Sequence, residues 1–267
     1  MIDKTNITGI ILAGGKSSRM GTDKGFLMLN GKSFMQHSID ALKPLVSKLI
    51  IVANNTDYDV FGVNRINDSI ENAGPLAGIY SGLKESKTDY NLVLSCDIPL
   101  INSDVLRQLI SAIDATSEVI QIESNNRKMP LIALYSKSCT TKFEKLLNAG
   151  ERKLQFAVNQ CSVKSISLNK NEAKFTTNVN TQNELKQLKS MQINIKYFGQ
   201  IAEITKVKEE QIEFSGDNVS ELLNFLRSKY KNLENSGFKV AQNQELVSEA
   251  TKLSGQDIAL LPPFAGG

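Results

Sequence analysis

Tryptophan is absent from this sequence of 267 residues, and histidine occurs once, at His37. Mechanisms built on a histidine base or a His-rich metal site therefore have almost no raw material. Cysteine is sparse as well: Cys96, Cys139 and Cys161 lie far apart along the chain without CxxC spacing. Neither a disulfide framework nor a structural zinc site is expected, and the three read as ordinary reduced thiols. No N-terminal stretch joins a basic start, an apolar run and a small-residue cleavage site, and no apolar run is long enough to span a bilayer. The expectation is a soluble, cytoplasmic protein with no membrane partner. Charge of one sign is lacking too, since 31 Lys and Arg against 28 Asp and Glu leave a formal +3 with no dense basic run. Nucleic acid is not an expected partner, whereas a small anionic ligand fits.

What is present suffices for a sizeable core, with 41% hydrophobic residues. Runs with strand character recur at residues 7–12, 49–53, 91–95, 118–122 and 131–135. Helical stretches follow Phe34, Pro75 and Ser103; after the last, Val105, Leu106, Leu109, Ile110 and Ile113 keep helical spacing. The alternation predicts an α/β domain with a largely parallel sheet, whose ligands gather outside the carboxyl ends of the strands. Thr181 and Glu184 have capping-box spacing, so a last helix is expected from Thr181 toward Ser190. After Met191 the pattern restarts. Ile193, Ile195 and Tyr197 alternate as in a strand, and residues 211–214 offer a second. Val219, Leu222, Leu223, Leu226 and Tyr230 then share a helical face, before strand candidates at residues 238–242 and 257–261. The reading is two domains, 1–190 and a small α+β domain, 191–267.

Directly after the first strand, Leu12-Ala13-Gly14-Gly15-Lys16-Ser17-Ser18-Arg19-Met20-Gly21-Thr22-Asp23-Lys24 sets adjacent glycines among three cations. Glycine lets backbone N–H groups approach an anion closely, and Arg19 and Lys24 can neutralise phosphate charge. The spacing is neither that of a P-loop nor that of a dinucleotide fingerprint. Asp97, in Cys96-Asp97-Ile98-Pro99, follows another apolar strand and points at the expected crevice. One Asp plus substrate phosphates is a common Mg²⁺ arrangement, and a turn or capping role is the structural alternative. Gly74-Pro75-Leu76-Ala77-Gly78 starts a helix with Pro75 at its first position. Asn178 and Asn180 precede the last helix, where Asn is ordinarily a cap or turn former. His37, inside a helical stretch, reads as a packed or capping residue.

In combination these stretches resemble the molybdenum cofactor guanylyltransferases, nucleotidyltransferases with a Rossmann-like fold, over roughly residues 7–188. The resemblance rests on the loop just quoted, on Asp68 in Ile66-Asn67-Asp68-Ser69, and on the segments beginning at Gly74, Cys96 and Asn178. It implies GTP contacts from Leu12, Ala13, Gly14 and Gly15, with Lys24 and Arg19 on the phosphates, Asp68 on the nucleoside, and Gly74, Pro75, Leu76 and Gly78 nearby. Asp97 would hold Mg²⁺ and the nucleotide. Asn178 and Asn180 would meet the pterin-bearing substrate. A further contact after the second strand falls to Asn54, the nearest polar residue, or to Val52. The implied reaction transfers GMP from GTP to Mo-molybdopterin, giving the guanine dinucleotide cofactor.

Residues 192–267 resemble the sulfur-carrier small subunit of molybdopterin synthase, a ubiquitin-like β-grasp protein. The resemblance is carried by Ile195-Lys196-Tyr197-Phe198-Gly199, by Val240-Ala241-Gln242-Asn243, and by the final Pro262-Pro263-Phe264-Ala265-Gly266-Gly267. Gln242 departs slightly from the family pattern. Glycine lets an extended tail enter a narrow active site. The resemblance implies adenylation of Gly267 by an E1-like adenylyltransferase, conversion to a thiocarboxylate, and delivery to the large synthase subunit. A molybdenum insertase and molybdoenzyme chaperones are further candidate partners. Two rival readings are a nucleotidyltransferase acting on another phosphate substrate, and a carrier or binding protein with a degenerate nucleotide domain.

Overall fold

The computed structural model describes residues 3–14, 23–70, 73–234, 236–254 and 257–263. The chain divides into two compact units, Met1–Thr181 and Gln182–Gly267.

In the first unit the strands and helices run β1 (Ile7–Leu12), β2 (Met28–Leu29), β3 (Lys32–Ser33), α1 (Phe34–Leu42), β4 (Lys48–Val52), β5 (Asn64–Ile66), α2 (Pro75–Glu85), β6 (Tyr90–Ser95), α3 (Ser103–Ser111), β7 (Val119–Ser124), β8 (Arg127–Ser136), α4 (Cys139–Asn148), α5 (Leu154–Asn159), β9 (Val163–Ser167) and α6 (Lys170–Ala173). Seven strands form one sheet in the order β5-β4-β1-β6-β8-β7-β9. Within it only β8 runs against the rest, paired antiparallel to β6 and β7. The turn joining β7 to β8 places Asn125 and Asn126 at φ 50° and 60°, the left-handed pair a tight hairpin needs.

Strand β1 is apolar along nearly its whole length because helices cover both of its faces. Ile7 and Ile11 pack with Met35, Ile39 and Leu42 of α1 and Leu106 of α3, while Ile10 packs with Leu76, Ile79 and Leu83 of α2. Helix α2 comes close: an added Cβ on Gly82 would lie 2.5 Å from Ile10 Cγ2. Helix α1 starts where the Ser33 hydroxyl accepts the Gln36 N–H at 3.1 Å, and α3 where Asn102 caps Val105 at 3.0 Å. His37 on α1 is 2.9 Å, through Nε2, from the Leu29 carbonyl, so it ties the β2–β3 hairpin to the helix. Cys139 and Cys161, remote in sequence, are neighbours here with sulfurs 4.0 Å apart, both free thiols. Because β4 pairs on one side of β1 and β6 on the other, the chain order reverses there, which opens a crevice above its carboxyl end.

The second unit comprises α7 (Gln182–Lys189), β10 (Met191–Tyr197), α8 (Gln200–Thr205), β11 (Glu209–Phe214), α9 (Val219–Lys229), β12 (Lys239–Gln242), β13 (Glu245–Val247) and β14 (Asp257–Leu261). It therefore includes α7, a helix the sequence reading had grouped with the first domain. Its sheet has the order β11-β10-β14-β12-β13, with β10 and β14 parallel and the other pairs antiparallel. Ile193, Ile195 and Tyr197 alternate inward from β10 onto Leu222, Leu223 and Leu226 of α9. This is the small β-grasp-like α+β sheet expected. Buried Gln242, the departure from the family pattern, spends its amide on the segment before β14: it donates to the Lys252 carbonyl at 3.3 Å and Ser254 Oγ at 2.9 Å, and accepts the Ser254 N–H at 3.1 Å. Glu210 accepts from Tyr197 at 2.6 Å, from Tyr230 at 2.9 Å and from Lys229. No helix among the described residues is long and apolar enough to cross a membrane.

Candidate functional site

Beyond β1 the ladder continues for one residue on each side. Ala13 N–H donates to the Val52 carbonyl at 3.0 Å, and Cys96 N–H donates to the Leu12 carbonyl at 3.1 Å. The start of the Gly-rich loop is thereby held beside Cys96-Asp97. Gly14 has φ +122°, a conformation that favours glycine, and open space around it. Gly15 and Arg19 lie outside the described residues, as do Gly266 and Gly267.

The loop returns at Asp23 and Lys24, which opens a one-turn 3₁₀ helix, Lys24–Phe26. The Lys24 ammonium stands 2.5 Å from Asn180 Oδ1 and 3.4 Å from Asp97 Oδ2. Three segments distant in sequence thus meet at one cation. Asp97 is also gripped through its backbone, for its carbonyl accepts the Val179 N–H at 2.9 Å. This main-chain bond brings Asn178 and Asn180 to the end of β6. Its other carboxylate oxygen, Oδ1, is buried without a hydrogen-bond partner among the described residues. An orphaned carboxylate oxygen beside a phosphate-type loop suits a hard cation that takes its remaining ligands from water and substrate oxygens. No group of three His, Cys, Asp or Glu side chains among the described residues could hold a metal by itself. Asp97, through its unpartnered Oδ1, is a residue that could hold such a cation.

A second group lies at the ends of β4 and β5. Asn54 Oδ1 accepts the Asp68 N–H at 2.8 Å, and Asp68 Oδ1 accepts from Ser81 Oγ of α2 at 3.2 Å and from Ile70 N–H at 3.3 Å. Burial pushes the Asp68 carboxyl above its ordinary range despite those donors. Gly74 turns the chain into α2 with φ +73°, and Pro75 takes the first helical position. Leu76 is fully buried and an added Cβ on Gly78 would lie 3.3 Å from Leu12, so both positions pack into the core beneath the crevice.

Sequence reasoning did not single out Asp23, Asn55, Tyr58 or Ser81. The Tyr58 hydroxyl donates to Asp23 Oδ1 at 2.5 Å, and Asn55 Nδ2 lies 3.5 Å from Asp23 Oδ2. Asp23 stood inside the quoted loop and could have been found there; a lone Tyr in an unpatterned segment carries no such signal. Burial, helped by the charges of Asp97 and Asp23, pushes the Cys96 thiol up to about 12, which disfavours the thiolate there.

Comparison with known proteins identifies the family of each part. Residues 9–163 match the family model described as MobA-like NTP transferase domain, and residues 195–267 match the ThiS family. The molybdenum cofactor guanylyltransferase of Shewanella baltica is 37% identical over 196 residues, covering 71% of this chain and 98% of the relative. That of Vibrio parahaemolyticus is 33% identical over 190 residues, covering 70% and 97%. Among solved structures, the molybdopterin-guanine dinucleotide biosynthesis protein A of Archaeoglobus fulgidus superposes with a TM-score of 0.59 over 68% of this chain and 96% of that one. At 22% identity this last likeness speaks for the fold alone.

Proposed function

The chain belongs to the MobA-like NTP transferase family and carries a ThiS family domain at residues 195–267, and from that premise we propose a pair of activities in molybdenum cofactor biosynthesis. Residues 1–190 transfer GMP from GTP to Mo-molybdopterin. Residues 191–267 carry sulfur as a thiocarboxylate on Gly267. The single observation that carries the first activity is the Lys24 ammonium set between Asp97 and Asn180 at the end of the central strands.

In the transfer, an oxygen of the terminal phosphate of Mo-molybdopterin bonds to the α-phosphorus of GTP as the bond to the β-phosphate oxygen breaks and pyrophosphate leaves. A phosphate monoester has a second pKa of about 6, so no general base is required, in keeping with a chain that has a single histidine. The residues position and neutralise instead. Backbone of Leu12, Ala13, Gly14 and Gly15 contacts the GTP, Arg19 and Lys24 offset the charge of its phosphates, and Asn54 and Asp68 hold the nucleoside beside the start of α2. Asn178 and Asn180 hold the pterin-bearing substrate. Asp97 holds Mg²⁺, which when bound supplies Lewis-acid stabilisation of phosphoryl charge.

For the carrier, an E1-like enzyme activates the Gly267 carboxylate and the large molybdopterin synthase subunit receives the sulfur. Both activities are assigned to the cytoplasm, where thiols such as Cys139 and Cys161 stay reduced. Purified protein given Mo-molybdopterin and each nucleoside triphosphate in turn should release pyrophosphate with GTP. Release with CTP or UTP but not GTP overturns the assignment. Incubation with an activating enzyme, ATP and a sulfur source should exchange one oxygen for sulfur by intact mass. Persistent absence of that product with a competent partner overturns the carrier role.

A further inference from the structure

We propose that Tyr58 is a positioning residue that sets the Lys24 ammonium through Asp23, an inference that rests on the reading of Lys24 as a phosphate contact. Tyr58 is wholly buried, in the 3₁₀ segment Thr56–Phe61 that follows β4. A buried phenol needs a partner for its hydroxyl, and here that partner is the carboxylate of the residue immediately before Lys24, at 2.5 Å. Among the described residues, the other bonds to the Asp23 carboxylate are longer: Gly25 N–H at 3.3 Å and Asn55 Nδ2 at 3.5 Å. Among the described residues, Tyr58 thus makes the shortest hydrogen bond to Asp23.

The surroundings are shaped for that reach. An added Cβ on Gly25 would lie 2.3 Å from the Tyr58 hydroxyl oxygen and 2.5 Å from Cε1, so a side chain at position 25 would displace the ring. On the far side of Gly25, Phe26 lies against Tyr58 with centroids 4.8 Å apart, and Phe61 flanks both at 5.7 and 6.1 Å. Residues 23–26 are thereby fixed at both ends of the turn from which Lys24 projects. The lysine stem has four rotatable carbons, so where its ammonium rests depends on how firmly its backbone is held, and displacement of a reacting group by about 1 Å can cost about 10²-fold in rate. Burial also pushes the Tyr58 hydroxyl far above its ordinary range, which keeps it a donor at every working pH.

Tyr58→Phe keeps the ring cluster and deletes only the tether. Acylation footprinting of folded protein should show the reactivity of Lys24, measured against exposed Lys145 on α4, rising about threefold to tenfold, the range an ordinary hydrogen bond commands. Asp23→Ala, which removes the other end of the tether, should raise the same ratio and serves if Tyr58→Phe does not fold. In pyrophosphate release with GTP, Tyr58→Phe should lower kcat about tenfold with little change in KM, and this loss should vanish in a Lys24→Met background. An unchanged Lys24-to-Lys145 ratio in both variants overturns the proposal. So does an equal rise at every lysine, which marks general loosening, or a kcat loss that persists without Lys24. Should the wild type turn over no nucleotide, the proposed activity fails while the footprint still decides the role of Tyr58.

Discussion

Asp97→Asn separates the chemistry of the site from its architecture. In the wild type, Asp97 Oδ2 faces the Lys24 ammonium at 3.4 Å, with the Asp97 side chain 15% and the Lys24 side chain 23% exposed. A partly solvated pair of that length is worth at most about 1 kcal/mol. The substitution also turns an amide N–H toward the position of buried Oδ1, at a cost of about 1–3 kcal/mol if no acceptor is found. The bond from Val179 N–H runs to the Asp97 backbone carbonyl and survives the change. The sum predicts a Tm lowered by several degrees, at about 2–4 °C per kcal/mol for a unit of this size. Turnover should fall much further, by about 10³-fold or about 4 kcal/mol, because the proposed Mg²⁺ ligand is lost and with it the cation that offsets phosphoryl charge. The assay is pyrophosphate release from GTP across a Mg²⁺ titration, with the melting curve recorded on the same sample. Turnover within about tenfold of wild type at an unchanged Mg²⁺ requirement would refute the assignment of Asp97.

Gly82→Ala places a methyl 2.5 Å from Ile10 Cγ2, and overpacking of that kind should cost about 1–3 kcal/mol, seen as a lower urea midpoint with an unchanged slope. In unit two, burial pushes the Glu210 carboxyl up, but Lys229, Tyr197 and Tyr230 outweigh it and hold it below its ordinary value. Its stabilising share is therefore complete above the unfolded carboxylate pKa and lost as pH falls through the lower folded one. Glu210→Gln should be less stable than wild type at neutral pH, with the gap closing in acid; a gap constant down to strongly acidic pH would contradict this. Among the thiols, the hydrogen bond shared with Cys139 lowers Cys161, whereas burial raises Cys96 to about 12. Iodoacetamide on native protein near pH 8 should label Cys161 first and spare Cys96, as peptide mapping would show.

Strands β1, β4 and β6 were legible because central parallel strands are apolar on both faces, and such runs stand out. The edge strands β5 and β9 were not. Asn64-Arg65-Ile66 and Val163-Lys164-Ser165-Ile166-Ser167 are short and partly exposed, so their sequences look like loop. The reversed direction of β8 depends on the Asn125-Asn126 turn, a weaker signal than Asn-Gly. At the site, Lys24 and Asp97 could be named beforehand from their patterned segments, and Asn180 only through the family resemblance. That Tyr58 reaches Asp23 across 35 residues, or that Cys139 meets Cys161, follows from packing that only the folded chain reveals.

The contact between Lys24 and Asn180 spans 156 residues. Its consequence falls during synthesis. A ribosome that has released β1 through β9 has delivered every strand of the seven-stranded sheet, yet not the segment that docks on Asp97. At about 5–20 residues per second, a nascent chain passes many seconds with Lys24 in place and Asn180 still unmade. The surroundings of Lys24 and Asp97 are therefore the last part of the unit to be finished, and a chain cut short before residue 178 would keep its sheet while losing the segment that docks on Asp97.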